Sequence, residues 1–181
     1  YVCWMIIDYL IDYFKEKELN FDCILTQDAN DKLLYVVFNK NNIEIINKEI
    51  LAKYYEYYFN KYPKRKKANI TSPIPPSLNE WMVMPRFKMN AQKQAWKEFG
   101  AWTVKYYNLE NRKLDKCKIV IEYFFPTKHR HDADNFTPKN LFDSFTVSGL
   151  LIDDDFDHVE SLTIKGNYSK EDPRTEIVFI F

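Results

Sequence analysis

The spacing of apolar residues in the first third of the chain predicts a small set of helices and strands. Apolar side chains three and four residues apart predict a helix over residues 2–17. β-Branched and aromatic runs predict strands over 21–27 and 33–39, with turn-forming residues between them at 28–31. A short strand over 43–46 and a helix over 47–60 follow. Residues 1–60 are therefore interpreted as an N-terminal α/β appendage, and no motif in it indicates a chemistry.

The rest of the chain predicts a second domain over residues 73–181, after a basic connector with prolines over 61–76. Asn90 is the expected N-cap of a helix over 91–107, and Gly149 is expected to end a helix that starts near residue 135. Strands are expected in three further segments: 117–125, 158–167 and 174–181. This order predicts an α+β fold in which two helices pack on a small mixed or antiparallel sheet.

Charge is unevenly distributed although the chain is neutral overall. Residues 1–60 carry 6 Lys/Arg and 10 Asp/Glu, residues 61–128 carry 15 and 5, and residues 129–181 carry 5 and 11. A polyanion-binding surface beside an acidic metal site produces such a profile, although ordinary solvated faces also do. The cluster Lys64–Lys67 is accordingly either a solvated linker or a phosphate contact.

The three cysteines, the apolar runs and the overall composition exclude several classes of protein. The odd cysteine number and the absence of a C-x-x-C pair argue against a disulfide framework or a structural zinc site. No stretch approaches the roughly 20 apolar residues that span a bilayer. A cytoplasmic protein without a membrane partner is expected.

The segment 128–158 carries the candidate chemistry. Asp132 and Asp134 lie two residues apart beyond a predicted strand, and side chains at this spacing share one face of an extended backbone. A second acidic group, Asp153–Asp155, follows the predicted helix. If that helix folds the second group back against the first, the carboxylates could share a divalent cation, which suits phosphodiester hydrolysis. The alternative from spacing alone is a helix with solvated acidic flanks.

The same segment resembles the RusA family of crossover-junction endodeoxyribonucleases. The family pattern D-x-D-N, Lys, helical Asp, Gly and an Asp pair is present here. Its members are Asp132, Asp134, Asn135, Lys139, Asp143, Gly149, Asp153 and Asp154. Residues 75–79 (PPSLN) resemble the opening P-P-S-x-N of the family. The resemblance covers about residues 73–181 and implies a RusA-like fold for them.

The resemblance also implies roles for individual residues. Asp132, Asp134 and Asp154 match the catalytic, metal-binding carboxylates, and Asp153 matches the metal-binding partner of the last one. Lys139 matches the catalytic lysine that contacts phosphate, but it lies one residue further from Asp134 than in the family pattern and follows Pro138. Asn135 and Asp143 could instead cap the helix or pair with Lys139.

The implied activity is that of a homodimeric, Mg²⁺-dependent endonuclease, with Mn²⁺ possible, that resolves four-way DNA junctions by symmetric cleavage. The side chains expected to contact DNA are Asn79, Arg86, Lys88, Lys93, Lys97, Arg130 and Asn135. Core packing is expected for Trp81, Phe87 and Trp96, with base stacking as the alternative. The alternative functions are a non-catalytic DNA-binding adaptor and a nuclease of the same fold that acts on flaps, single strands or RNA.

Overall fold

The computed structural model describes residues 21–27, 33–39 and 43–180. The chain divides into two compact units, residues 1–42 and 43–181.

In the first unit two strands form an antiparallel hairpin, β1 (Phe21–Gln27) with β2 (Leu33–Asn39). Both strands confirm the prediction from the sequence. The predicted helix over 2–17 and the turn residues at 28–31 lie outside the described residues.

The second unit contains the remaining helices and strands. In chain order they are β3 (Ile43–Ile46), α1 (Lys48–Lys61), α2 (Leu78–Met82), α3 (Arg86–Tyr106), β4 (Cys117–Phe125), a 3₁₀ helix (Ala133–Asn135), α4 (Lys139–Val147), β5 (Val159–Tyr168) and β6 (Arg174–Ile180).

Four strands of this unit form one mixed sheet in the order β3-β6-β4-β5. β6 pairs antiparallel with both β3 and β4, whereas β4 and β5 run parallel, from Cys117 opposite Val159 to Phe125 opposite Tyr168. Parallel neighbours need a crossover connection, and α4 supplies it between β4 and β5. The predicted α+β class with a mixed sheet is therefore confirmed.

The core lies between one face of this sheet and the helices. Alternate residues of β4 and β6 are buried, as period-two patterning requires. The ring of Phe145 on α4 meets Phe179 on β6, with centroids 5.4 Å apart. α3 and α4 pack closely at Gly100, where an added Cβ would stand 2.1 Å from Ser144 Oγ. A larger residue at position 100 would therefore separate the two helices.

The compact unit includes residues 43–61, which the sequence assigned to the appendage. β3 pairs with β6, and Tyr54 of α1 packs edge-on against Phe99 of α3 with ring centroids 4.8 Å apart. Asn47 caps α1 by accepting the Ile50 N–H at 3.0 Å. The structure thus adds α1 to the helical layer, while a separate role for residues 1–60 stays a prediction.

Two helices begin elsewhere than the sequence predicted, each because of a proline. α3 begins five residues early, directly after Pro85, whose carbonyl accepts the Met89 N–H at 3.0 Å; the expected N-cap, Asn90, lies inside the helix. α4 begins only at Lys139, because Pro138 has no N–H to continue a helix from residue 135. Both predicted starts were wrong.

The predicted end of α4 is confirmed. Gly149 has φ +70°, its N–H donates to the Thr146 carbonyl at 3.0 Å, and the Leu150 N–H donates to Phe145 at 2.9 Å. A residue without a Cβ adopts this left-handed conformation without strain. α2 was not predicted, although the sequence contains a signal for its start: Ser77 and Glu80 form a reciprocal capping box.

In the part of the chain that the structure describes, no helix is long and apolar enough to cross a membrane.

Glu44 of β3 is fully buried in this core. Thr103 Oγ1 hydrogen-bonds to one oxygen of Glu44 and lies 2.8 Å from the Gly100 carbonyl oxygen, while the other carboxyl oxygen has no hydrogen-bond partner among the described residues. A hydroxyl has one hydrogen and a carbonyl can only accept, so a protonated Glu44 that donates to Thr103 satisfies this chain of contacts. Burial raises the pKa of Glu44 to about 8.

We expect Glu44→Gln to reduce the pH dependence of stability. With the pKa raised in the folded state, the folded protein binds more protons than the unfolded chain between about pH 4.5 and 8, so wild-type stability falls as pH rises through this window. The glutamine variant lacks this titration. Urea unfolding at several pH values measures the difference, and a wild-type stability that rises from pH 5 to 8 while the variant's stays constant would contradict the assignment.

Candidate active site

The first acidic group lies beyond the carboxyl end of β4, where the chain turns back on itself. The imidazole of His131 stacks on Phe125, with ring centroids 3.8 Å apart, and Phe136 meets Phe125 edge-on at 4.8 Å. These contacts hold residues 126–136 over the end of the strand. Asp132 and Asp134 are thereby fixed at this end of the sheet.

A cleft of about 530 Å³ opens beside Asp132. One wall is the loop after β4, and the other is the second half of β5, from Ile164 to Tyr168. The Asp132 carboxylate is half exposed and accepts a hydrogen bond from Arg130 Nε at 3.0 Å. Asp134 is exposed in the 3₁₀ helix, and its side chain makes no hydrogen bond or ion pair with any other described residue.

The second acidic group lies in the loop before β5. The Ile152 N–H donates to the Leu114 carbonyl at 3.2 Å, and the Cys117 N–H donates to the His158 carbonyl at 3.1 Å. These two bonds attach the loop to the start of β4. The acidic residues between them are therefore held at the amino end of the β4–β5 pair.

Asp155 gives this loop its shape. Its carboxylate accepts the N–H groups of Asp157 and His158, each at 3.1 Å, and lies 2.6 Å from His158 Nδ1. The side-chain hydrogen bond lowers the pKa of Asp155 and raises the pKa of His158. Asp153 accepts the Asp154 N–H at 2.8 Å, while the Asp154 carboxylate stays exposed and has no hydrogen-bond or ion-pair partner in the described chain.

Comparison of the sequence with known proteins places this chain in a family. The chain is 34% identical over 88 residues to the crossover junction endodeoxyribonuclease RusA of Escherichia coli K12, which covers 48% of this chain and 72% of that protein. The crossover junction endodeoxyribonuclease of Enterobacteria phage 82 matches with the same identity and coverage. The chain belongs to the RusA family. No protein-family model matches it.

The two acidic groups of this RusA-family chain lie at opposite ends of one strand pair. Asp132 borders a cleft lined by Tyr123 and Phe125, whereas Asp154 lies in the loop bonded to Cys117. The strand from Cys117 to Tyr123 spans about 20 Å at about 3.3 Å per residue. The expected folding of the second group against the first is therefore not found within one chain.

The carboxylates of the two acidic groups are of the chemical type that binds a divalent cation, but within one chain the groups lie too far apart to share one. Exposed carboxylate oxygens are the ligands that Mg²⁺ and Mn²⁺ prefer, and two oxygens bound to one Mg²⁺ lie at most about 4 Å apart. Among the described residues, no three His, Cys, Asp or Glu side chains lie close enough to hold an ion together. The residues of one chain thus do not fit a cation shared between the two groups, and the metal-ligand assignments stay predictions.

Lys139, which matches the lysine of the family pattern, does not line the cleft beside Asp132. Lys139 is the first residue of α4 and borders a separate depression of about 250 Å³, together with Trp81 and Lys93. Its ammonium is exposed and has no ion-pair or hydrogen-bond partner in the described chain. Asp143, which could have paired with it, instead pairs with Lys93 at 2.8 Å.

The residues expected to contact DNA differ in their solvent exposure and in whether they already form an ion pair. Asn79, Arg86, Lys88 and Arg130 are exposed, whereas Asn135 and Lys97 are partly buried and Lys93 is engaged by Asp143. Trp96 is buried as expected and Trp81 is half-buried, but Phe87 is 71% exposed at the start of α3. Core packing was the wrong prediction for Phe87.

The sequence did not reveal the second wall of the cleft. Lys165 and Asn167 line it from β5, and Lys128 lies 5.1 Å from the ring centre of Tyr168. The parallel pairing of β4 with β5 brings these side chains beside Asp132. Local sequence patterns do not encode which strands pair, so only the sheet topology identifies this wall.

We expect Asp155→Asn to lower the pKa of His158 towards its ordinary value of about 6.5, because the carboxylate that stabilises the imidazolium is replaced by a neutral amide. Titration of the imidazole signals by NMR measures the shift. Asp157→Asn is the matched control, since it removes the same charge from the same loop without removing the bond to Nδ1. Equal titration curves for the two variants would contradict the assigned contact.

Proposed function

We propose that this protein is an endonuclease that resolves Holliday junctions or related branched DNA by phosphodiester hydrolysis. The observation that carries this proposal is the exposure of the Asp134 and Asp154 carboxylates, which have no partner among the described residues and occupy the motif positions of the family. The names of the curated relatives, crossover junction endodeoxyribonucleases, support the same reaction.

The cleft beside Asp132 suits a DNA backbone. Lys128 and Lys165 line the cleft and are exposed, and Arg130 is exposed beside Asp132. These basic side chains would attract phosphate, so that the strand is held beside the acidic group. Asp132 is already drawn towards Arg130, and an approaching phosphate would compete for that guanidinium. The DNA would thereby free the carboxylate that the reaction requires.

The proposal includes dependence on Mg²⁺, with Mn²⁺ as the substitute, and a homodimer that cleaves two strands of a junction symmetrically. The carboxylates of both acidic groups are the proposed ligands, and a bound divalent ion would supply positive charge at the scissile phosphate and an activated water. A cytoplasmic location also stays a prediction.

We expect Asp132→Asn and Asp154→Asn each to abolish cleavage of a synthetic four-way junction while junction binding is retained. Each change removes a carboxylate charge with little change of volume, and neither residue contributes to the core. Cleavage is followed by denaturing gel with and without Mg²⁺, and binding by gel shift in Ca²⁺ or EDTA.

Glu56→Gln on the exposed face of α1 is the control for these variants, because it removes an acidic charge far along the chain from both groups. Undiminished cleavage by both aspartate variants would refute the proposed function. If the protein cleaves flaps, single strands or RNA in preference to the junction, it is a nuclease with a different substrate from the one proposed.

Lys139→Ala should lower the cleavage rate by roughly tenfold or more, because the charge-assisted contact of a lysine with phosphate is lost. Lys139→Arg should keep much of the rate, since it preserves the charge. Lys105→Ala in the last turn of α3 is the lysine control, because Lys105 is exposed and is not among the residues expected to contact DNA. Wild-type rates for the alanine variant would remove Lys139 from the catalytic set and leave it as a surface residue.

A non-catalytic DNA-binding adaptor is the second candidate, favoured by the displacement of Lys139 relative to the family pattern. Isothermal titration with Mn²⁺ separates the two candidates. A nuclease should bind the ion in a manner sensitive to Asp134→Ala, whereas an adaptor with a degenerate site should show no such binding.

A further inference from the structure

We propose that the depression bordered by α2, α3 and the start of α4 binds one unpaired base of the DNA strand, with the base stacked on Trp81 and its edge hydrogen-bonded to Asn140. This inference rests on the proposed function. It adds a subsite for a base that has left the double helix at the branch point.

The first argument is the state of Trp81. The described tryptophans Trp96 and Trp102 pack near Phe99, with ring centroids 5.6 and 6.3 Å from it, whereas Trp81 lies outside the hydrophobic core cluster and has no ring partner in the described chain. α2 buries none of its five residues, and Trp81 is half-buried in the wall of the depression. An indole face that the core does not use is a stacking platform for a base.

Polar contacts hold α2 in place although it contributes nothing to the core. The Ser77 N–H donates to the Glu80 carboxylate at 2.8 Å, and the Glu80 N–H donates to Ser77 Oγ at 3.3 Å. Thr175 Oγ1 donates to the Pro73 carbonyl at 2.8 Å, which attaches the segment before α2 to β6. Trp81 is therefore presented by a fixed element, and little ordering is needed when a base binds.

The second argument is the buried amide of Asn140. This residue is 7% exposed on the first turn of α4 and lines the depression, yet its side chain makes no hydrogen bond with any other described residue. Buried polar side chains almost always have a partner, because leaving one unpaired costs free energy. The amide offers one acceptor and two donors, which suit the neighbouring donor and acceptor groups on the edge of a base.

The third argument is the size and lining of the depression. Its volume of about 250 Å³ is below the roughly 300–1,000 Å³ of sites for drug-sized ligands, so it suits a flat ring system rather than a whole nucleotide. Its remaining apolar lining is contributed by Pro76, Leu78 and Met89. Extrahelical bases are bound in this way, between aromatic and apolar side chains with hydrogen bonds to the base edge.

The fourth argument is the charge at the rim. Lys139 directly precedes Asn140 and has an exposed ammonium, and Lys93 lies on the other side of the depression in an ion pair with Asp143. No carboxylate lines the depression. A phosphate on Lys139 would leave the base of the same nucleotide within reach of Asn140, because phosphate and base are joined by one sugar. The depression thus offers separate contacts for the backbone and for the base.

α3 continues the basic surface on both sides of the depression. Asn90 and Lys93 line it, and Arg86 and Lys97 lie four residues before and after them on the same face of the helix. These side chains would contact the phosphates of neighbouring nucleotides. In a regular duplex the bases are paired and stacked, so only a branched or opened substrate could fill the subsite.

Junctions that each lack one base beside the branch point test the subsite on the wild-type protein. Affinity is measured by fluorescence anisotropy in Ca²⁺, so that cleavage is not required. At the position whose base enters the depression, loss of the base should weaken binding by about tenfold, within the range for stacking of a base on an aromatic side chain. Equal affinity for the intact and all the abasic junctions would overturn the inference.

Variants of the two contact residues locate the effect. Trp81→Ala should remove most of the difference between intact and abasic junctions and Asn140→Ala part of it, because a contact that is already lost cannot be lost again. Trp81→Phe should restore most of the difference, since it keeps an aromatic face. Asn60→Ala, at an exposed position on α1, is the control and should behave as the wild type. A difference that is unchanged in both alanine variants contradicts the assignment.

Thermal unfolding separates binding from a structural role of Asn140. Asn140→Ala should not lower Tm, because the amide bonds to no described residue and alanine has the higher helix propensity. A Tm lower by several degrees would show that the amide supports the fold, and would remove Asn140 from the subsite.

The subsite and the proposed function fail separately. A wild type that does not cleave junctions refutes the nuclease, and the abasic series still decides whether a base is bound. A wild type that cleaves but binds intact and abasic junctions equally refutes the subsite and leaves the nuclease assignment standing.

Discussion

The parallel pairing of β4 with β5 is the constraint on which the functional part of the molecule depends. Parallel neighbours must be joined by a crossover, and α4 crosses from the carboxyl end of β4 to the amino end of β5. The loop that follows β4 therefore lies at one end of the strand pair, and the loop that precedes β5 lies at the other. The two acidic groups occupy these two positions, so the topology separates them.

The two ends are held by different means. Stacking of His131 and Phe136 on Phe125 holds the loop that carries Asp132, whereas backbone hydrogen bonds to Leu114 and Cys117 hold the loop that carries Asp154. Within the second loop the carboxylate of Asp155 is used to fix the turn. The neighbouring carboxylate of Asp154 is left open to solvent and takes no part in fixing the turn.

Several features of the fold could be predicted from the sequence because they depend on local interactions. The strands followed from runs of β-branched and aromatic residues, and β4 was predicted at its observed bounds. The end of α4 followed from Gly149, which alone accepts the left-handed turn without strain. The starts of α3 and α4 differ from the predicted ones because each helix begins directly after a proline, Pro85 or Pro138. At both positions the backbone restriction of proline, a local effect, decided where the helix began.

The sequence by itself identified the residues that are proposed to carry the chemistry, because the motif from Asp132 to Asp154 is a linear pattern with specific spacing. It also determined the fold class, since the order of the predicted helices and strands indicates an α+β layer structure. The pairing of strands was decided only in the tertiary structure, because a strand's partner depends on contacts between distant segments. That pairing placed Lys165 beside Asp132 and put Asp154 at the far end of the strand pair.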